Sequence, residues 1–129
     1  FNVEDYELAI EIRNIISSNE SVAVHIRRKE YSSHGILRLS YYLESMQILN
    51  EKNQKIVFYV FSDDIEWCKK VFPQTYNVIF VSYNNIEDFY LMSLCKHFII
   101  ANSSFSYWAY NFSTFSNKIL IKPTVHDYE

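Results

Sequence analysis

The chain has 129 residues, enough for one domain with a real core, and its 49% hydrophobic and 18% aromatic content excludes a disordered segment. A net charge of −3 excludes a general nucleic-acid binder, so any cation site has to be local. Two cysteines, Cys68 and Cys95, form no CxxC pair, no Cys/His cluster has zinc spacing, and no apolar run approaches the ~20 residues of a membrane span. The expectations are buried free thiols in a reducing compartment, no signal or transmembrane segment, and a cytoplasmic location.

Residues Val3 to Ser17 read as a helix whose apolar face carries Leu8, Ala9, Ile12, Ile15 and Ile16. Val22 to Ile26 is a buried strand that turns abruptly into cations: His25, Arg27, Arg28 and Lys29 sit at or just beyond its end. Tyr31 to Arg38 reads as a loop and holds the single glycine, Gly35. With one glycine a Gly-rich phosphate loop is impossible, so a phosphate site must use side chains and helix N-termini.

Leu39, Tyr42, Leu43, Met46 and Leu49 follow at helical spacing, and Ile56 to Phe61 is an unbroken apolar run of strand length. Ser62, Asp63 and Asp64 stop it, with Asp64 as N-cap of a helix that buries Ile65, Cys68, Val71 and Phe72. Val78 to Val81 is the third strand. Asn84-Asn85 opens a helix carrying Ile86, Phe89, Tyr90 and Leu94. Phe98 to Ala101 is the fourth strand, and Asn102-Ser103-Ser104 caps a helix expected to bury Phe105, Trp108, Ala109 and Phe112. Ile119 to Ile121 is a short fifth strand.

The order is α, then β-α four times, then β. Continuous apolar strands mark a parallel sheet covered on both faces. The expected fold class is α/β: a Rossmann-like three-layer α/β/α domain with a mostly parallel five-stranded sheet, filling residues 1–129 as one domain. On that fold His25, Arg27 and Arg28 end the first strand, Ser62, Asp63 and Asp64 the second, and Ser103 and Ser104 follow the fourth. All lie on the carboxyl edge, where open α/β sheets bind ligands. Arg grips phosphate with a planar fork. Serines at a helix N-terminus add hydroxyls, N–H groups and the positive dipole end. Taken singly, an Arg pair is more often solvated, a lone His structural, and an Asp pair or Ser pair a turn and a cap; it is their coincidence on one edge that points to a diphosphate. A receiver-type phosphoacceptor domain fails on placement, because cations rather than acids follow the first strand and Val81-Ser82-Tyr83 follows the third.

These residues have a family likeness. His25-Ile26-Arg27-Arg28-x-Glu30-Tyr31 resembles the HxRRxD motif of the α1,2-, α1,6- and protein-O-fucosyltransferase superfamily. Phe61 to Lys69 resembles the second motif of glycosyltransferase family 11, the α-1,2-fucosyltransferases, and Asp88 to Ala109 resembles its third. The resemblance implies a metal-independent, inverting transfer of L-fucose from GDP-fucose to the 2-hydroxyl of a β-galactoside. The partners are then a nucleotide sugar and a galactoside glycan acceptor, with no cofactor, no nucleic acid, and a peripheral membrane association left open.

The chain would be the C-terminal, donor-binding half of a GT-B-like enzyme whose N-terminal half is absent from it; the alternative is a truncated, non-catalytic GDP-sugar-binding remnant. By the same resemblance Arg27 grips the β-phosphate, Arg28 assists or is structural, and His25 and Asp88 lie near the guanine. Asp63 and Asp64 shape the nucleotide pocket, and Ser103 and Ser104 contact phosphate. Arg27 and Glu30 are the catalytic candidates, and Glu30, His34 and Asp63 the candidates for a general base. The chain departs from the pattern at Lys29-Glu30, where the family has Gly-Asp.

Overall fold

The computed structural model describes residues 3–29 and 35–129, with side chains from residue 10 onward. Five helices, α1 (Val3–Ser18), α2 (Leu39–Lys52), α3 (Ile65–Val71), α4 (Asn85–Ser93) and α5 (Ser104–Phe112), alternate with five strands. The strands are β1 (Ser21–Ile26), β2 (Val57–Ser62), β3 (Val78–Val81), β4 (His97–Ile99) and β5 (Leu120–Ile121). They form one sheet in the order β3-β2-β1-β4-β5, and every pairing between them is parallel.

β1 and β2 lie inside the sheet, and their backbone groups and both side-chain faces are buried. This is why they read as continuous apolar runs. Val22, Val24, Ile26, Phe58 and Val60 join Tyr41, Tyr42, Met46 and Leu49 of α2 and Cys68 of α3 in one core. Ala23, Val57, Tyr59 and Phe61 point the other way and pack with Ile16 of α1, Leu91 and Met92 of α4 and Ala109 of α5. The protein is therefore a three-layer α/β/α sandwich, as expected, and both cysteines are buried free thiols. Gly35 stands at φ +80°, in the left-handed region that side chains resist, which places the one glycine where the backbone requires it.

Two expectations change. Trp108 and Phe112 are 55% and 65% exposed rather than buried. Ala109 is buried as expected, and Ser106 joins it on the inward face of α5. In addition, a 3₁₀ turn at Val125–Asp127 carries the C-terminal segment back across the chain. There Leu37 bridges Tyr128 in antiparallel fashion, the Arg38 N–H donates to Asp127 O at 2.7 Å, and the Glu129 N–H donates to Ile36 O at 2.8 Å.

Candidate functional site

The strand order reverses direction between β1 and β4, since β2 and β3 extend one way and β4 and β5 the other. Such a switch point opens a crevice at the carboxyl ends, because the connections leave the two strands toward opposite faces. A cleft of about 310 Å³ lies there, lined by His25, Arg27, Phe61, Ser62, Asp63, Asn85, Asp88, Ser103, Ser104 and Phe105.

The structure thus brings together six of the predicted donor-site residues: His25, Arg27, Asp63, Asp88, Ser103 and Ser104. Arg28 and Asp64 do not line the cleft. Side chains alternate across a strand, and the alternation persists just past β1: His25 and Arg27 go to the cleft, while the Arg28 guanidinium stacks 3.7 Å from the centre of the Trp67 ring on α3. Its Nη1 is also 4.0 Å from Glu129. Asp64 is the N-cap of α3 and accepts from the Trp67 N–H at 3.3 Å. Glu30 and His34 lie outside the described residues.

Asp63 lines the cleft, yet its two carboxylate oxygens accept from backbone: Oδ1 from the Arg28 N–H at 2.8 Å and Oδ2 from the Lys29 N–H at 2.9 Å. On the facing side Ser103 is the N-cap of α5, with its hydroxyl oxygen accepting from the Phe105 N–H at 3.2 Å. Ser103 and Ser104, at the N-terminus of α5 and so at the positive end of its dipole, line the same space that Arg27 borders. Phe105 packs against the core, as expected, and is also a wall of the cleft, where it contacts the His25 ring at 5.4 Å and the Phe89 ring at 5.5 Å. Asn85, also unforeseen, enters because it directly follows the Asn84 cap of α4.

Burial pushes the His25 imidazole down to about 4; the Asp63 carboxylate opposes that shift and the Arg27 guanidinium adds to it. His25 is therefore neutral at pH 7, and its Nδ1 is buried with no hydrogen-bond partner among the described residues. Burial pushes the Asp88 carboxyl up to about 6, against the stabilising Tyr83 N–H at 3.0 Å and with help from Glu87.

A carboxyl raised in the fold binds its proton more tightly than the unfolded chain does, so stability falls as pH rises from 3.8 toward about 6 and the cost is full above that. Asp88→Asn removes the charge and keeps an acceptor for Tyr83. Its Tm is expected to match the wild type below the unfolded value and to exceed it at about pH 8. Calorimetry across that range checks it, and a Tm difference independent of pH would contradict it.

The layering, the strand order and the cleft at the switch point define a doubly wound α/β domain of the Rossmann type. Residues 5–129 match the family model "Glycosyl transferase family 11", and the chain belongs to that family. An α-1,2-colitosyltransferase of Escherichia coli is 43% identical over 128 residues, covering 90% of this chain and 44% of that protein. The O-antigen biosynthesis glycosyltransferase WbnK of Escherichia coli is 33% identical, over 91% of this chain and 42% of its own length. The crystal structure of NodZ α-1,6-fucosyltransferase soaked with GDP-fucose superposes with a TM-score of 0.58 at 15% identity, over 98% of this chain and 46% of that one, which bears on the fold alone. The chain spans less than half the length of these proteins. Among the described residues, no helix is long and apolar enough to cross a membrane.

Proposed function

We propose that this domain binds GDP-fucose in the cleft between β1, β4 and α5. It would serve, as the donor half of a larger enzyme, the inverting and metal-independent transfer of L-fucose to the 2-hydroxyl of a β-galactoside. The observation that carries this reading is the pairing of Arg27 with the N-terminus of α5 across one cleft. Breaking the sugar–phosphate bond leaves negative charge on departing GDP. A fixed guanidinium and aligned N–H dipoles stabilise that charge more in the transition state than in the bound donor. Arg27 holds the β-phosphate, Ser103 and Ser104 donate to phosphate oxygens, and Asp88 in its ionised form accepts from the N–H edge of guanine. The family membership and the GDP-fucose named for the NodZ structure support the choice of nucleotide. The two free thiols support a cytoplasmic, reducing location.

A second donor is favoured by one observation: the 43% identical relative is named for colitose, the 3-deoxy counterpart of fucose. The same diphosphate and guanine contacts serve either sugar, so the choice rests on contacts to the sugar 3-hydroxyl.

The test is isothermal titration with GDP, then turnover of GDP-fucose and GDP-colitose with lactose, each with and without a chelator. Saturable GDP binding is expected, with any turnover unaffected by chelation. Binding without turnover identifies a donor-binding unit that does not catalyse alone. Absence of GDP binding overturns the site assignment.

A further inference from the structure

We infer that Asp63 is a positioning residue: it holds the backbone that follows β1 so that Arg27 is presented to the cleft, and it does not itself bind the nucleotide. The inference rests on the donor-site reading above and deepens it.

Asp63 leaves β2 one residue past the strand, beside the end of β1, because Ile26 and Ser62 are register partners in the parallel pair. From there its carboxylate meets two successive amides, with Oδ1 on the Arg28 N–H at 2.8 Å and Oδ2 on the Lys29 N–H at 2.9 Å. The Arg28 N–H belongs to the peptide plane that joins Arg27 to Arg28, so its direction sets the ψ angle of Arg27. The Lys29 N–H fixes the following plane in the same way. Past the end of β1 these amides have left the sheet ladder, and a charged acceptor is the stronger kind of substitute. The opposite side of the turn is held by the Arg28 guanidinium stacked on Trp67. Trp67 in turn belongs to the helix that Asp64 caps. Three consecutive residues thus divide the labour: Ser62 accepts from the Asp64 N–H at 2.9 Å, Asp63 fixes the neighbouring turn, and Asp64 starts α3.

The sign of one substitution separates this role from a purely electrostatic one. Asp63 is an anion on the wall of a cleft assigned to an anion. On charge alone, Asp63→Asn would tighten GDP. A positioning role requires the reverse, because an amide side chain can accept from one of the two N–H groups but presents a donor to the other.

The experiment combines amide exchange with a double-mutant cycle on the full chain. Exchange at Arg28 and Lys29, read by NMR, is expected to be slow in the wild type and at least about tenfold faster in Asp63→Asn, with amides of β2 unchanged. GDP affinity, read by titration, is expected to fall about tenfold in Asp63→Asn and further in Asp63→Ala. In an Arg27→Ala background, at millimolar GDP, the Asp63→Asn change is expected to cost less than about twofold, since its effect passes through Arg27. Tighter GDP binding in Asp63→Asn, or equal losses in both backgrounds, overturns the inference. So does rapid wild-type exchange at both amides. A wild type that binds no GDP while its amides are protected overturns the donor reading, and with it the role of Arg27, and leaves only the pinning of the turn standing.

Discussion

Arg27→Ala is expected to lower GDP affinity by roughly 30- to 1,000-fold while leaving the fold intact. The figure corresponds to about 2–4 kcal/mol for removing one charged partner from a phosphate contact. The fold should survive because Arg27 lies past the last residue of β1 and lines an open cleft. The neighbouring substitution is the control. Arg28 carries the same charge one residue on, but its guanidinium covers Trp67 and does not line the cleft. Arg28→Ala is expected to cost stability on the scale of a partly exposed cation–π contact, about 1 kcal/mol, and only a few-fold in affinity. Titration calorimetry with GDP and thermal melts of both variants give the comparison. Equal affinity losses would mean that the pair acts as diffuse positive charge, and unchanged affinity in Arg27→Ala would remove the donor site from this cleft.

The difference between the two arginines shows what was legible in the sequence. Both arginines were legible as cations at the end of the first strand; that they part to opposite faces was not, because both lie past Ile26, the last residue of β1. Nor were their partners. Trp67 and Asp63 reach the end of β1 only through the parallel register of β1 and β2, a contact across 35 residues for Asp63 and Arg28. The strands themselves were legible because burial on both faces leaves an unbroken apolar run, as at Phe58 to Phe61. Helix α5 was legible only in part, for the complementary reason. Phe105, Trp108, Ala109 and Phe112 have the spacing of an inward face, yet Ser106 and Ser113 are buried along with Ala109. Small hydroxyl side chains can be buried when they find backbone acceptors: Ser106 donates within its own helix to Ser103 O at 3.5 Å, and Ser113, the C-cap, donates across to Cys95 O at 3.0 Å. Hydrophobic periodicity does not see a buried serine whose hydroxyl is satisfied.

That distinction carries a second large effect, on stability. Phe58→Ala is expected to destabilise the chain by about 3–5 kcal/mol, out of the roughly 5–15 kcal/mol that a domain has in total. Phe58 is fully buried in β2, its residue pairs with Val22 of β1 and Val78 of β3, and its ring meets Tyr76 edge-on at 5.7 Å. Truncation removes the transfer free energy of the ring and leaves a cavity that strands on both sides prevent from closing. The expected fall in Tm is roughly 10–20 °C. Trp108→Ala is the paired measurement. An indole in the core would cost a comparable amount, whereas the 55% exposed indole on the outer face of α5 is expected to cost less than about 1 kcal/mol. Denaturant melts of the two variants therefore test the packing of the sheet and the orientation of α5 together. A Trp108→Ala loss equal to that of Phe58→Ala would turn the helix about its axis, and would carry Ser103 and Ser104 away from the cleft that Arg27 borders.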